Sequence, residues 1–408
     1  MICARRINED IENLQEFTST PGHGVTRLSY SPEGEQARKY LIDQMLRAGL
    51  SVFEHPAGNV IGRLAGRDDK APPVMTGSHY DTVRNGGAFD GICGVVAALE
   101  AARSMREDGF VPEYPLDIVA FAEEEGTRFG YGLLGSSLML GLADPAQMDT
   151  LLDEQGISLK EALQKAGLGG KTAKTLQPGD LKAFVELHIE QGPVMERSGA
   201  EIGVVDRITS MSFGEVCIEG RADHAGTTPM DKRLDAMRGA ARMIETLFSL
   251  AEQLNEGMTA TVGKLLVSPG SGNVVPEKVT FSIDFRCSTN EKVQDMSRML
   301  KDALQKLDAA TGLTSSYHEI SYAEAVEMDP AVRRMIEQSA DLLGCRRMRI
   351  SSGAGHDAMS MAKICPTGMI FIPSGGGRSH CPEEFTDLSL IEQGARVLED
   401  TLKQLCGR

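Results

Sequence analysis

Three consecutive glutamates, Glu123, Glu124 and Glu125, follow an apolar run that ends at Ala122 and has the character of a buried strand. Like charges this close repel one another unless a positive group lies among them. The segment could be a solvated acidic loop, which needs no partner. It could also surround a cation. In that case one carboxylate could bind the ion while its neighbour stays free, because successive residues of an extended chain point in opposite directions.

Other apolar segments end in side chains of the same kind. His79 and Asp81 end the segment VMTGSHYD, His188 ends AFVELH, and His380 follows MIFIPS and a glycine-rich loop. In open α/β sheets, ligands bind at the carboxyl ends of the strands. Asp90 comes soon after His79, in NGGAFDG, where the glycines allow the backbone to turn tightly. The sequence therefore predicts that these polar residues share one edge of a sheet.

Imidazole and carboxylate groups without thiols suit a divalent metal such as zinc, manganese, nickel or cobalt. A cation would also offset the repulsion within the glutamate run. Each residue has a simpler alternative, since a single histidine at a strand end is more often a hydrogen-bonded structural residue. Asp90 could merely cap the helix that follows it. Several strand ends together favour the metal site, although the spacing alone leaves open whether they meet.

Helix and strand patterns alternate in the first part of the chain. Two short strands flank a turn at 56–58, and further strands are predicted in APPVMTGSHYD, PLDIVAFAEEEG and LKAFVELHIEQG. Helical patterns such as GICGVVAALEAARSM lie between them. This alternation indicates an α/β domain with a largely parallel sheet flanked by helices.

Residues 207–322 follow a different order. The strand ITSMSFGEVCIEG, a helix starting at MDKRLD, the strands TATVGKLLVS and KVTFSIDFRC, a second helix and the strand LTSSYHEISY form a βαββαβ unit. Helix and strand then alternate again as far as the final helix. We therefore predict one domain formed by 1–206 and 323–408, with 207–322 inserted into it.

The composition excludes several classes of function. A net charge of -16 argues against nucleic-acid binding and against binding to anionic membranes. No apolar run is long enough to span a bilayer, and the first residues lack the apolar core of a signal peptide. The 8 cysteines form no CxxC pair, so neither a zinc ribbon nor a dense disulfide scaffold is indicated. We expect a cytoplasmic protein with reduced thiols.

Five segments, GSHYDTVRNGGAFDG, FAEEEGTRF, ELHIEQGPV, DHAGTTPM and GRSHCPEE, resemble the M20 metallopeptidase-like amidohydrolases. The chain looks most like their hydantoinase/carbamoylase branch, which contains N-carbamoyl-L-amino-acid hydrolases, allantoate amidohydrolases and β-ureidopropionases. The motifs occur in the right order over nearly the whole chain. Two positions depart from the pattern. Cys381 follows His380 where Asn or another small polar residue is expected, and RADHAG replaces the more usual SNHAG.

The resemblance implies a two-metal site and assigns its residues. Glu124 corresponds to the general base, and Asp81 to a carboxylate that orients the first histidine. The implied metal ligands, with Asp90 bridging, are His79, Asp90, Glu125, His188 and His380.

The resemblance also implies that the inserted unit is a lid and dimerisation domain. In it, His224, Asn273 and Arg286 would meet the substrate, the last two through its carboxylate, and His224 would reach the metals of the partner chain in a homodimer. Gln191 and His356 correspond to further polar contacts with the substrate. Taken alone, Arg286 could be a solvated residue on the polar face of a strand, and Asn273 an ordinary turn residue.

The implied reaction is hydrolysis of the C–N bond of an N-carbamoyl-L-amino acid, or of a related ureido acid such as allantoate, with release of ammonia and carbon dioxide. Glu124 would take a proton from water and return it to the leaving nitrogen, and His224 would stabilise the oxyanion. A dipeptidase or aminoacylase on the same scaffold is the alternative enzyme. A metal-binding or ligand-binding protein that has lost catalysis is the alternative without chemistry.

Overall fold

The computed structural model describes residues 1–169, 172–255 and 257–407, and the chain divides into two compact units. The first unit is Met1–Asp206 with Met328–Arg408, and the second is Arg207–Glu327. The second boundary lies after Glu327, whereas the sequence indicated 322. The difference arises because a two-residue strand, Val326–Glu327, pairs with the start of the inserted unit. So short a strand has no sequence pattern of its own.

The helices and strands are numbered in chain order. The helices are α1 Ala4–Gln15, α2 Pro32–Arg47, α3 Ile92–Glu107, α4 Leu134–Met139, α5 Leu159–Lys165, α6 Val194–Ser198, α7 Ala236–Leu254, α8 Asn290–Thr311, α9 Pro330–Leu342, α10 Ala358–Met361 and α11 Leu388–Cys406. The strands are β1 Ser51–Glu54, β2 Val60–Leu64, β3 Val74–His79, β4 Leu116–Phe121, β5 Ala183–Ile189, β6 Ile202–Ile208, β7 Ser210–Glu219, β8 Asp223–His224, β9 Thr259–Thr261, β10 Leu265–Ser268, β11 Val274–Val275, β12 Lys278–Cys287, β13 Thr314–Ala323, β14 Val326–Glu327, β15 Arg347–Ser352 and β16 Thr367–Ile372.

The larger sheet is mixed, with a parallel centre. Its order is β1-β2-β4-β3-β5-β16-β6-β14, and β15 pairs with β6. The neighbours β4, β3, β5 and β16 run parallel, whereas β1, β2, β6 and β14 pair antiparallel. Every residue of the four parallel strands is buried, as expected for strands covered on both faces. The predicted α/β sheet flanked by helices is confirmed, but it is parallel only at its centre, whereas the sequence indicated a largely parallel sheet.

Residue alternation along β5 separates an apolar face from a polar one. Ala183, Val185 and Leu187 belong to the main hydrophobic core, on the face covered by α3 and α11. Glu186 and His188 point to the opposite face. There the backbone N–H of Ala358, at the start of α10, donates to Glu186 at 3.0 Å. The polar residues of the strand thus lie away from the apolar core, although they are buried.

The second unit contains a five-stranded antiparallel sheet in the order β10-β12-β7-β13, with β9 beside β12. Helices α7 and α8 pack on one face over a core of its own, which includes Val216, Phe281 and Ile283. The sequence interpretation of TATVGKLLVS as one strand is wrong, because β9 and β10 pair with separate parts of β12. The first helix also begins later than predicted, at Ala236, where the Asp235 side chain accepts from the N–H of Arg238.

Among the described residues, no helix is long and apolar enough to cross a membrane.

Candidate metal centre

Asp90 lies between two groups of candidate ligands. Its Oδ1 is 3.1 Å from His188 Nε2 and 3.7 Å from His79 Nε2. Its Oδ2 is 3.1 Å from His380 Nε2, which in turn is 3.4 Å from Glu125 Oε1. The potential ligand atoms in each of the sets His79–Asp90–His188 and Asp90–Glu125–His380 lie within 4.8 Å of one another. The strand ends therefore meet, and Asp90 is the residue that the two sets share.

Two buried atoms at this centre are better suited to binding a cation than to hydrogen bonding with each other. Asp90 Oδ1 and His188 Nε2 are buried, and neither makes a hydrogen bond with a described residue. Leaving such groups without a partner is costly. His188 Nδ1 lies 2.9 Å from the carbonyl of Ile189, so donation there leaves a lone pair on Nε2. A neutral imidazole nitrogen beside a carboxylate oxygen is a normal ligand pair for a divalent metal.

The electrostatic environment of the centre favours positive charge. Burial alone would raise the pKa of Asp90, but the adjacent imidazoles of His188, His380 and His79 hold it well below its usual value. Hydrogen bonds with Asp90 and Glu125 raise the pKa of His380 to about 11. The carboxylates thus stabilise protons on the histidines, and the same attraction would act on a metal cation.

The three glutamates after β4 face different partners. Glu123 has a left-handed backbone (φ 54°), and its Oε1 accepts from the N–H groups of Arg128 and Phe129. Glu124 Oε2 lies 3.9 Å from His79 Nε2, on the first set of ligands, whereas Glu125 contacts His380. Burial raises the pKa of Glu124 well above its usual value, and the neighbouring Glu125 carboxylate adds to the shift. Such a carboxyl group is suited to accepting and returning a proton.

Asp81 holds two parts of the centre in place. Its carboxylate accepts the backbone N–H of Glu124 at 3.0 Å and that of Glu125 at 3.2 Å. The resemblance assigned the orientation of His79 to this carboxylate. In the structure, His79 Nδ1 lies 3.0 Å from the backbone carbonyl of Asp81 and 3.8 Å from the carboxylate. The carbonyl therefore orients the imidazole, and the carboxylate fixes the backbone of the glutamate run.

Gln191 and His356 also lie at this centre. Gln191 Nε2 donates to Asp90 Oδ2 at 3.0 Å. His356 is buried behind His188, with the two ring centroids 4.5 Å apart, and its Nε2 is 2.9 Å from Ser352 Oγ. Both are therefore placed beside the candidate ligands, and a role for either in binding substrate stays a prediction.

The three remaining candidates belong to the second unit. His224 is exposed in β8, where it pairs with Val274 of β11, and the N–H of Gly226 donates to its Nδ1. Asn273 is its neighbour across this ladder, since the carbonyl of Asn273 accepts from the N–H of Ala225 at 3.0 Å.

Arg286 lies on β12 and already has an anionic partner. Its Nε and one terminal nitrogen donate to the Asp284 carboxylate at 3.1 and 2.9 Å, and its guanidinium lies 5.5 Å from the centre of the Phe213 ring. Both contacts orient the guanidinium on the face of the sheet opposite α7 and α8. Its predicted contact with a substrate carboxylate stays a prediction.

The sequence interpretation missed several supporting residues. Glu186 lies two residues before His188, so the two-residue period of a strand could have placed both on one face. Gly91 has a φ of 66°, and a Cβ there would lie 2.4 Å from the His79 ring. Glu384 is a buried residue of the motif GRSHCPEE, but its partners Phe89 and Asp90 are distant in sequence. Cys381 is part of none of the cation-binding groups found among the described residues.

Comparison with known proteins gives consistent matches. Residues 75–404 match the model of the family described as Peptidase family M20/M25/M40. The N-carbamoyl-L-amino-acid amidohydrolase of Paenarthrobacter aurescens is 42% identical over 404 residues, which cover 98% of each chain. The allantoate amidohydrolase of Escherichia coli is 35% identical and is matched over 97% of its length. A crystal structure of an amidase of the hydantoinase/carbamoylase family from Burkholderia multivorans has a TM-score of 0.91 and 35% identity, and the match covers 100% of this chain and 98% of that one.

We predict that Asp81→Asn weakens binding of a divalent cation about 10- to 100-fold. Asn offers one acceptor oxygen where Asp offers two, so one of the two N–H groups in the glutamate run loses its partner. The measurement is calorimetric titration of the metal-free protein with Mn²⁺. Asp117→Asn is the matched control, because Asp117 is equally buried in the same unit and pairs with Arg63 instead. Equal cation affinities in the two variants would contradict the assignment.

Proposed function

Because the chain belongs to peptidase family M20/M25/M40, we propose that it is a metal-dependent amidohydrolase that cleaves the C–N bond of an N-carbamoyl-L-amino acid or a related ureido acid such as allantoate. The observation that carries this proposal is Asp90 between two sets of ligands, with the buried Glu124 beside them. The names of relatives with 35–42% identity support the ureido class over peptides. Hydrolysis would release ammonia and carbon dioxide.

Two divalent metal ions would occupy the centre. His79 and His188 would hold one, Glu125 and His380 the other, and Asp90 both. Each ligand set combines imidazole nitrogen with carboxylate oxygen, which suits zinc, manganese, nickel or cobalt. Bound metals would supply Lewis acidity, which polarises the carbonyl to be cleaved and lowers the pKa of water.

Glu124 would be the general base and later the general acid. It belongs to neither of the two sets that share Asp90, although it also forms a cation-binding group with His79 and Glu125. Its raised pKa favours return of the proton, because the leaving nitrogen must be protonated before the C–N bond breaks. Asp81 supports this role, since it fixes the backbone of Glu124.

The second unit would bind the other end of the substrate. Arg286 and Asn273 would hold the substrate carboxylate, and His224 would stabilise the oxyanion. The exposed position of His224 on a two-stranded ladder is compatible with contact to a second copy of the chain. We therefore propose that the inserted unit is the lid and dimerisation domain, and that each active site takes His224 from the partner.

The first prediction from this proposal concerns substrates. Ammonia release from N-carbamoyl-L-amino acids or allantoate should exceed hydrolysis of dipeptides and N-acetyl amino acids by at least about 100-fold in kcat/KM. Steady-state assays with protein loaded in turn with Mn²⁺, Zn²⁺, Ni²⁺ or Co²⁺ provide the measurement. Preferential cleavage of dipeptides or N-acyl amino acids would instead establish the dipeptidase or aminoacylase alternative. Metal binding without turnover of any substrate would favour a non-catalytic protein.

The second prediction separates the roles within the glutamate run. Glu124→Gln should keep the metal but lower kcat about 100- to 10,000-fold, because it removes only the proton acceptor. Glu125→Gln should lose metal, as measured by elemental analysis. Glu123→Gln is the control, since the amide oxygen still accepts from Arg128 and Phe129. A Glu124→Gln enzyme with near wild-type kcat would show that the base is another group.

The third prediction tests whether the site is shared between two chains. Homodimers of Glu124→Gln or of His224→Ala should be nearly inactive. After random subunit exchange about half of the dimers are mixed, and each holds one complete site, so about a quarter of wild-type activity should return. As a control, mixing Glu124→Gln with the double variant Glu124→Gln/His224→Ala should restore none. No recovery in the first mixture would show that His224 serves its own chain.

A further inference from the structure

The motif GRSHCPEE contains a buried carboxylate to which the proposed function gives no role. Glu384 follows the candidate ligand His380 by four positions, in the loop between β16 and α11. It is only 5% exposed. None of the cation-binding groups found among the described residues includes it. A buried carboxylate needs donors to replace its lost hydration, so its partners indicate its role.

Glu384 joins the two loops that carry candidate ligands. Its Oε1 accepts the backbone N–H groups of Phe89 and Asp90, each at 3.0 Å. Its Oε2 accepts the hydroxyl of Ser379 at 2.6 Å, and Ser379 precedes His380 directly. The same hydroxyl lies 3.3 Å from Asp90 Oδ2. One side chain thus bonds the backbone of the shared ligand and the residue next to the loop histidine.

The surrounding residues are shaped to accept this contact. A Cβ at Gly87 would lie 2.1 Å from Glu384 Oε1, so the loop before Asp90 leaves room for the carboxylate only because glycine is there. Phe89, which precedes Asp90, and Phe385, which follows Glu384, pack their rings edge to face with centroids 5.9 Å apart. The two loops therefore meet through a buried polar contact and an adjacent apolar one.

The two ligand sets differ in how much they need this contact. His79 of β3 pairs with Phe121 of β4, and His188 of β5 pairs with Phe371 of β16, so backbone hydrogen bonds of the sheet fix the positions of both histidines. His380 lies on a loop and is 47% exposed. Its backbone is left-handed (φ 56°), which is unfavourable for a residue with a side chain and persists only where the surroundings hold it.

We propose that Glu384 is a positioning residue that fixes Asp90 relative to His380 and thereby sets the affinity for the cation held by Asp90, Glu125 and His380. The inference rests on the proposed two-metal function. Removing Glu384 should weaken this second cation more than the first, because the sheet still positions two ligands of the first, His79 and His188, whereas His380 and Asp90 both lie on loops that Glu384 joins. Its effect on catalysis would follow from the lost cation, since both of its oxygens already accept hydrogen bonds from Phe89, Asp90 and Ser379.

The test is calorimetric titration of the metal-free protein with Mn²⁺, which reports stoichiometry and both dissociation constants. The wild type should bind two ions. Glu384→Ala removes all three acceptor contacts, so it should weaken the second ion about 10- to 100-fold and the first, which shares only Asp90 with it, by a clearly smaller factor. Glu384→Gln keeps the oxygen that accepts from Phe89 and Asp90, and it should show a smaller loss of the same kind. This variant decides the question if Glu384→Ala does not fold.

Glu100→Ala is the matched control. Glu100 is also a buried carboxylate of the first unit, and it accepts from the N–H of Cys3 and pairs with Arg6. Its loss should lower the melting temperature of the metal-free protein and leave both Mn²⁺ affinities unchanged. A destabilised Glu384 variant can thus be told apart from one that has lost a cation.

The remaining outcomes distinguish failure of the positioning role of Glu384 from failure of the proposed function. If the wild type binds two ions and both Glu384 variants keep the second at unchanged affinity, the positioning role is overturned while the proposed function stands. Equal weakening of both ions would also overturn it, since Glu384 would then support the centre as a whole. A wild type that binds no Mn²⁺, Zn²⁺, Ni²⁺ or Co²⁺ would overturn the proposed function and the inference together.

Discussion

Electrostatic repulsion among buried carboxylates governs how the segments around Asp90 are built. Three of these carboxylates accept hydrogen bonds from uncharged donors. Asp81 accepts two backbone N–H groups, Glu384 accepts two more and a hydroxyl, and Glu186 accepts from Ser78 and Ala358. The carboxylates of Asp90 and Glu125 lie beside histidines instead. This arrangement leaves the attraction for a cation concentrated on Asp90 and its immediate neighbours.

Strands and loops contribute different candidate ligands. The parallel strands β3 and β5 hold His79 and His188 with the precision of a buried sheet, whereas Asp90 and His380 lie on loops. Loops can take backbone conformations that a strand cannot, and those conformations bring distant segments to the shared carboxylate. The loops must then be held by side chains, as Asp81 and Glu384 illustrate.

The sequence predicted what depends on local patterns. The central strands were recognisable because their apolar runs have strand length, and the rule that ligands bind at strand ends placed His79, Glu124 and His188 at one edge of the sheet, where their side chains lie close together. The break between β9 and β10 was missed although Gly263 and Lys264 interrupt the apolar residues there. The partners of Glu384 could not be inferred, since its bond to Asp90 joins residues 294 positions apart and uses backbone atoms. The resemblance assigned the orientation of His79 to the Asp81 carboxylate, whereas the backbone carbonyl of Asp81 lies closer to His79 Nδ1.

The two ends of the inserted unit meet at a single ladder. Arg207 pairs with Glu327 and Ile208 with Val326, and the N–H of Met328 donates to the carbonyl of Asp206. The polypeptide therefore leaves and returns at almost the same point, and a short hairpin turn in place of the unit would remove only β14 and the last two residues of β6 from the larger sheet. Residues Arg207–Glu327 therefore form a cassette that one insertion or deletion at a single point of the chain adds or removes as a whole.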